Sequence, residues 1–197
     1  MSVFKKGVLL ILTASVMIIF LGSCSKGVKN KSPEDVVKSL ILSYQEQDTQ
    51  AVKECYGIEK EDVQEDIQKE MDYNMRLFKA YQAENIEFEK SDSLGKSGES
   101  RLIYVWFTYK TEKKEKGQKC PVLSFYYVNK KDKTYYVVPA KDVTEEMGKY
   151  SRYAYEKFMN TKTYKNYQED LKKFQEENPS YKEELDKRFG QLVKGDQ

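Results

Sequence analysis

Hydrophobic residues recur at helical spacing in the first third of the chain. The first such stripe follows Pro33 and consists of Val36, Val37, Leu40, Ile41 and Tyr44. Ser32 is a good N-cap and proline suits the first helical position, so the pattern predicts a helix that starts at Pro33 and runs to about Gln47. Asp48 is placed to cap a short second helix, which Gly57 would end.

A third and longer helix is predicted over residues 60–82. Its apolar positions repeat three and four residues apart, at Val63, Ile67, Met71, Met75 and Phe78. The methionines on this stripe favour packing in a core. Three helices are therefore expected before the pattern changes.

The period shortens from residue 86 onward, where β-branched and aromatic residues become frequent. Strands are predicted around residues 86–90 and over residues 101–110, 120–128 and 134–139. Residues 91–98, 111–119 and 129–133 are rich in turn-forming or charged residues and are predicted to connect them. Four strands after three helices predict an α+β fold, with helices packed on one face of a curved antiparallel sheet.

The last part of the chain is predicted to be helical again, from about residue 143. Three stripes at helical spacing carry aromatic side chains: Tyr150, Ala154, Phe158 and Met159; Tyr164, Tyr167, Leu171 and Phe174; Tyr181, Leu185, Phe189 and Leu192. Asn178 and Pro179 would start the last helix. Two interpretations stay open, a helical extension packed on the domain and an arm that binds a partner.

The N-terminus has the features of a secretion signal. Lys5 and Lys6 precede an apolar run over residues 8–21, which is shorter than the roughly 20 apolar residues that span a bilayer. The run ends in Leu21, Gly22 and Ser23, followed by Cys24, a sequence that resembles the lipobox of bacterial lipoproteins.

That resemblance implies cleavage before Cys24 and attachment of a diacylglycerol to its thiol. The protein would then be anchored by lipid at the extracytoplasmic face of the cell membrane. A secretion signal with a chance cysteine and a retained membrane helix are the alternatives. The expected organisation is a signal peptide at 1–23, a basic tether at 24–31, an α+β domain at 32–142 and a helical extension at 143–197.

The order of elements resembles a known family. The segment "SPEDVVKSLILSYQEQDTQAVKECYG" and the hairpin "SFYYVNKKDKTYYVVP" are similar to those of small bacterial lipoproteins in the nuclear transport factor two-like (cystatin-like) superfamily. The resemblance covers residues 32–142 and implies a concave sheet that holds a small apolar ligand or forms an interface. In this superfamily the same shell also hosts isomerases and dehydratases, so fold alone does not decide function.

Charge and composition exclude several classes of protein. Once Lys5 and Lys6 are removed, the 34 Lys and Arg residues fall to 32, which equals the 32 Asp and Glu residues. This balance gives no basic field for binding nucleic acid. The chain has no His, and no phosphate-binding or nucleophile motif appears, so we expect no metal or cofactor and favour a binding protein over an enzyme.

A few residues remain as candidates for a site. Cys55 and Cys120 are either a disulfide or two buried free thiols. Tyr104 and Trp106, on the predicted central strand, would line a concave pocket or belong to the core. Asp48, and Asp72 with its neighbour Tyr73, would serve an isomerase-like site, but solvated surface positions are the simpler interpretation. The resulting hypothesis is a module that binds a small apolar ligand or an envelope protein, with an isomerase or dehydratase as the alternative.

Overall fold

The computed structural model describes residues 27–59, 63–111 and 119–194. Within these ranges the helices are α1 (Pro33–Glu46), α2 (Thr49–Cys55), α3 (Glu65–Tyr81), α4 (Glu145–Phe158), α5 (Lys162–Glu177) and α6 (Tyr181–Lys194). The strands are β1 (Ala83–Ser97), β2 (Ser100–Thr111), β3 (Cys120–Lys131) and β4 (Thr134–Val137). A short 3-10 turn at Ala140–Asp142 connects β4 to α4. The predicted α+β class is confirmed.

The starts of the first two helices agree with the sequence prediction. Ser32 Oγ accepts a hydrogen bond from the Asp35 amide at 3.1 Å, and Asp48 Oδ1 accepts one from the Ala51 amide at 3.0 Å. Both side chains therefore cap helix ends whose amides have no partner within the helix. The third helix begins later than predicted, at Glu65; residues 60–62 lie outside the described residues.

The four strands form one antiparallel sheet in the order β1-β2-β3-β4. The prediction of a turn over residues 91–98 was wrong, because β1 continues to Ser97 and pairs with β2 through three irregularities in register. The predicted hairpin loop at 129–133 is shorter, since β3 continues to Lys131. Most of the predicted 111–119 connection lies outside the described residues.

The two faces of the sheet are covered by different helices. We call the face that carries Ile103, Val105 and Phe107 the inner face; it packs on α1, α2 and α3. We call the opposite face the outer face; it packs on α4 and the first half of α5, through contacts such as Tyr104 with Phe158 at 4.5 Å between ring centroids. The three N-terminal helices lie on one face, as predicted, and the C-terminal helices cover the opposite face, so the side chains of β2 are buried on both sides.

The C-terminal helices lie against the rest of the fold. Phe174 at the end of α5 joins the inner cluster, and α6 packs on α3, where Arg188 Nε donates to the Ala80 carbonyl at 2.8 Å. α6 begins at Tyr181, two residues after the predicted start at Pro179, and the Asn178 side-chain amide donates to the Phe174 carbonyl at the end of α5. Of the two interpretations of the extension, the structure has the packed one. No helix in the described ranges is long and apolar enough to cross a bilayer.

Candidate functional site

The outer face of the sheet carries a group of aromatic rings that meet α4. Phe125 on β3 makes edge-on contacts with Tyr155, at 5.4 Å between centroids, and with Phe158, at 5.9 Å. Phe158 is buried, whereas Phe125 and Tyr155 are only half-buried. The aromatic layer is therefore incompletely covered at one end of α4.

A pocket of about 370 Å³ lies at this gap. It is lined by Leu102, Phe125, Ser151, Arg152 and Tyr155. Leu102 and the two rings make the walls mostly apolar, and the size falls within the range of small-ligand pockets. The site therefore suits a small apolar group.

Two polar side chains lie at the same pocket and differ in their partners. Ser151 Oγ donates to the Tyr127 hydroxyl at 3.0 Å, and that hydroxyl donates to the Met147 carbonyl at 2.6 Å. Arg152 is exposed and forms no hydrogen bond or ion pair with any described residue. The guanidinium therefore has donors available at the pocket, where they favour an anionic group.

The predicted pocket residues lie beside this site and underneath it. Tyr104 is the cross-strand partner of Phe125, and it is 4% exposed. Burial raises the pKa of its phenol. Trp106 packs edge-on against Tyr167 on α5, and its Nε1 atom is buried with no hydrogen-bond partner among the described residues. Both side chains are part of the buried aromatic layer and are not among the lining residues of the pocket.

A second polar cluster joins the inner helices. Tyr44 and Tyr56 share a hydrogen bond of 2.8 Å between their hydroxyls, and Tyr56 donates to Glu70 Oε1 at 2.8 Å. Glu70 Oε2 accepts from the Ala140 amide at 2.7 Å. Each carboxylate oxygen therefore already has a partner from the protein, and the cluster ties α1, α2, α3 and the 3-10 turn together.

Cys55 and Cys120 are buried free thiols in this structure. Burial raises the pKa of Cys55 to about 12 and that of Cys120 to about 11. Cys120 lies opposite Tyr109 in the sheet, whose hydroxyl is hydrogen-bonded to Tyr181. Buried thiols with raised pKa values stay protonated and unreactive near neutral pH.

The remaining candidates do not gather into a site. Asp48 is used as the cap of α2, and Asp72 accepts from the Gln68 side chain at 2.7 Å. Tyr73 is 54% exposed and contacts Phe189. Among the described residues no three potential metal ligands come together. Leu21, Gly22, Ser23 and Cys24 lie outside the described residues.

The pocket was not predictable from the sequence, because its lining residues come from three separate elements, β2, β3 and α4. Phe125 is visible only as one aromatic residue in a strand, and Arg152 only as one of many charges on a helix. The pairing of Phe125 with Tyr104 and the docking of α4 bring them together. The combination of an apolar pocket and a positive charge therefore arises only from the tertiary structure.

The chain was compared with protein-family models and with curated proteins. No protein family model matches it, and no curated protein matches it either.

Proposed function

We propose that this protein is a lipid-anchored extracytoplasmic lipoprotein whose domain binds a small apolar ligand that carries an acidic group. The observation that carries the binding proposal is the pocket on the outer face, with apolar walls and with Arg152, which pairs with no described residue, in its lining. Ligand sites commonly combine apolar walls with a few polar groups that orient the ligand. The apolar side chain of an envelope protein is the other occupant that such a pocket fits.

The fold is consistent with a nuclear transport factor two-like domain, which we include in the proposal. Three helices precede an antiparallel meander, and α1 lies across the sheet on its inner face. The interior that such a shell would use as a cavity is occupied here by side chains of the inner cluster, including Met71 and Phe107, both 0% exposed. We therefore propose that binding takes place on the outer face.

The anchor is proposed from the sequence, in which Leu21, Gly22 and Ser23 precede Cys24. It is tested by the intact mass and membrane partition of natively expressed protein, compared with Cys24→Ala. We expect cleavage before Cys24, the added mass of a diacylglycerol and pelleting with membranes for the native chain alone. If both proteins keep residues 1–23, or both are released without lipid, the anchor proposal is wrong.

The pocket is tested with two fluorescent probes that share an aromatic skeleton. Anilinonaphthalene sulfonate is an anion, and N-phenyl-1-naphthylamine is neutral. Arg152→Glu should weaken binding of the anion about tenfold, since one favourable charge contact of about 1.4 kcal/mol is lost, and leave the neutral probe unchanged. Ser151→Phe, which fills the pocket, should weaken both.

The matched control is Lys165→Glu, because this exposed lysine on α5 is not among the pocket residues. It makes the same change in net charge and should leave both affinities unchanged. Binding that none of the pocket variants alters would contradict the assignment. Each variant is checked for an unchanged circular dichroism spectrum, because the anionic probe also binds loosened proteins.

An isomerase or dehydratase is the second candidate, and the pairing of Tyr56 with Glu70 is the observation that favours it. A carboxyl group next to a phenol can move a proton and stabilise an oxyanion. Here both Glu70 oxygens already accept hydrogen bonds from the protein. For this reason the network is better explained as a connection between helices, and binding is the function we propose.

A further inference from the structure

The segment just before α1 is fixed to the fold. The Lys29 amide donates to Ser39 Oγ at 3.0 Å, and the same hydroxyl donates to the Lys29 carbonyl at 3.2 Å. The Tyr135 amide on β4 donates to the Asn30 carbonyl at 3.0 Å, and Val28 packs against the inner cluster. The chain is therefore held in place from residue 28 onward.

This attachment shortens the tether that a lipid on Cys24 would have. Only Ser25, Lys26, Gly27 and Val28 separate Cys24 from Lys29. Five steps of extended chain span at most about 18 Å. A lipid at Cys24 would thus hold one particular side of the domain close to the membrane surface.

The side of the domain at this attachment point carries a basic hairpin. Lys130, Lys131 and Lys133 are all exposed around the turn between β3 and β4. Lys133 is two residues from Tyr135, so the turn lies about 7 Å along the strand from the point where Asn30 is held. The tether and the hairpin are therefore neighbours.

The side chains near the hairpin carry charges of both signs, and basic groups are in the majority. Lys29 and Lys31 are exposed on the tether side. The acidic neighbours are Asp132 in the turn and Glu59, which lines the same shallow pocket as Lys131. In the first turn of α1, Glu34 and Asp35 are half-buried at the positive end of the helix, which offsets their charge.

We propose that the β3–β4 hairpin, with Lys29 and Lys31, is a docking surface for anionic phospholipid headgroups. Each lysine near an anionic membrane contributes about a fivefold preference for it at low salt. The net charge of this side is small, so docking depends on an anchor that keeps the hairpin within about a Debye length, roughly 10 Å, of the surface. The inference rests on the proposed lipidation of Cys24.

The test uses the lipidated full protein in two kinds of vesicle, phosphatidylcholine alone and phosphatidylcholine with phosphatidylglycerol. Exposed lysines are acetylated briefly and the modified peptides are measured by mass spectrometry. We expect labelling of Lys130, Lys131 and Lys133 to fall about fivefold in the anionic vesicles relative to the neutral ones. Lys165 and Lys173, exposed on α5, should be labelled equally in both.

Charge-reversal variants separate docking from tethering. In the triple variant K130E/K131E/K133E the labelling of Lys29 and Lys31 in anionic vesicles should rise to the neutral-vesicle level. The matched triple variant K165E/K173E/K182E, which makes the same change in net charge at exposed positions of α5 and α6, should keep their protection.

Two failures are distinguishable by flotation. Protein that floats with phosphatidylcholine vesicles but shows equal labelling of the hairpin in both lipids overturns the docking surface and leaves the anchor in place. Protein that does not float with neutral vesicles lacks the anchor, and this result overturns both proposals.

Discussion

The inner and outer faces of the sheet are built differently. On the inner face, Val105 and Phe107 are fully buried under α1, where Leu40 and Ile41 are also at 0% exposure. On the outer face the layer is aromatic, and Phe125 and Tyr155 remain half-buried beside a pocket. The inner face is a closed core, while the outer face leaves apolar surface within reach of a ligand.

The difference shows how one sheet carries a closed core on one face and an incompletely covered aromatic layer on the other. Complete burial of aliphatic and aromatic groups contributes most to stability, and it leaves no room for another molecule. The outer layer also contains polar groups that need partners, such as the hydroxyl of the buried Tyr127, which donates to the Met147 carbonyl. We therefore expect the two faces to respond differently to mutation and pH.

The largest effect is expected from truncation on the inner face. Phe107→Ala should lower the free energy of unfolding by about 3–5 kcal/mol, because it leaves a cavity in the closed core beside Phe78. Phe125→Ala on the outer face should cost about 1–2 kcal/mol, because that ring is already half exposed. Urea denaturation curves measure both. Equal losses would show that the outer face is as much a part of the stabilising core.

The second largest effect is expected at alkaline pH, which should lower the free energy of unfolding through a buried thiol of the inner face. The pKa of Cys55 is about 12 in the folded protein, against 9.0 for an exposed thiol, so the unfolded chain loses a proton above pH 9 that the folded one keeps. The free energy of unfolding therefore falls as pH rises from 9 to 12, by about 1.4 kcal/mol per pH unit from this group.

Cys55→Ala removes that contribution and provides the check. Urea denaturation at pH 8.5 and at higher pH should give a shallower fall for the variant than for the parent. Buried tyrosines of the inner face also contribute to the remaining slope, since burial raises the pKa of Tyr81 to about 12. An identical slope in both proteins would mean that Cys55 ionises readily in the folded state.

The smallest expected effect is a gain on the outer side. Gly148 lies within α4, and a methyl group there would meet only the Arg152 side chain, at 3.9 Å. Gly148→Ala should raise the free energy of unfolding by about 0.5–1 kcal/mol, because glycine is costly inside a helix. Thermal unfolding measures this gain, and probe binding should stay unchanged. A loss of stability would show that α4 needs the glycine for its packing.

The parts of the fold set by local pattern were predictable from the sequence. All five apolar residues of the α1 stripe, from Val36 to Tyr44, are buried, and both N-caps are in place. The sequence of β2 also indicated that the outer face would be covered, because hydrophobic residues occupy both sides of the strand. Tyr104 and Trp106 alternate with Val105 and Phe107, so both sides of that strand needed cover.

The parts set by tertiary contacts were not predictable. The second half of β1 is polar and looks like a loop, yet it pairs with β2 as the edge strand. Gly95 there has φ +118°, and the Tyr150 hydroxyl occupies the space of a side chain and donates to the Leu94 carbonyl at 3.0 Å. No pattern in the sequence of the strand predicts its contact with Tyr150 on α4.

The cover of the outer face also has a consequence for how the chain matures. Synthesis of the central strand β2, with Leu102, Tyr104 and Trp106, is finished by the middle of the chain. The helices that bury these side chains come from the last third. Until Phe158 and the residues after it have been synthesised, a row of apolar side chains is exposed to solvent, which promotes aggregation and proteolysis. A chain that ended before these helices would therefore be prone to aggregation and degradation. The outer face can fold completely only after the last third of the chain has been synthesised.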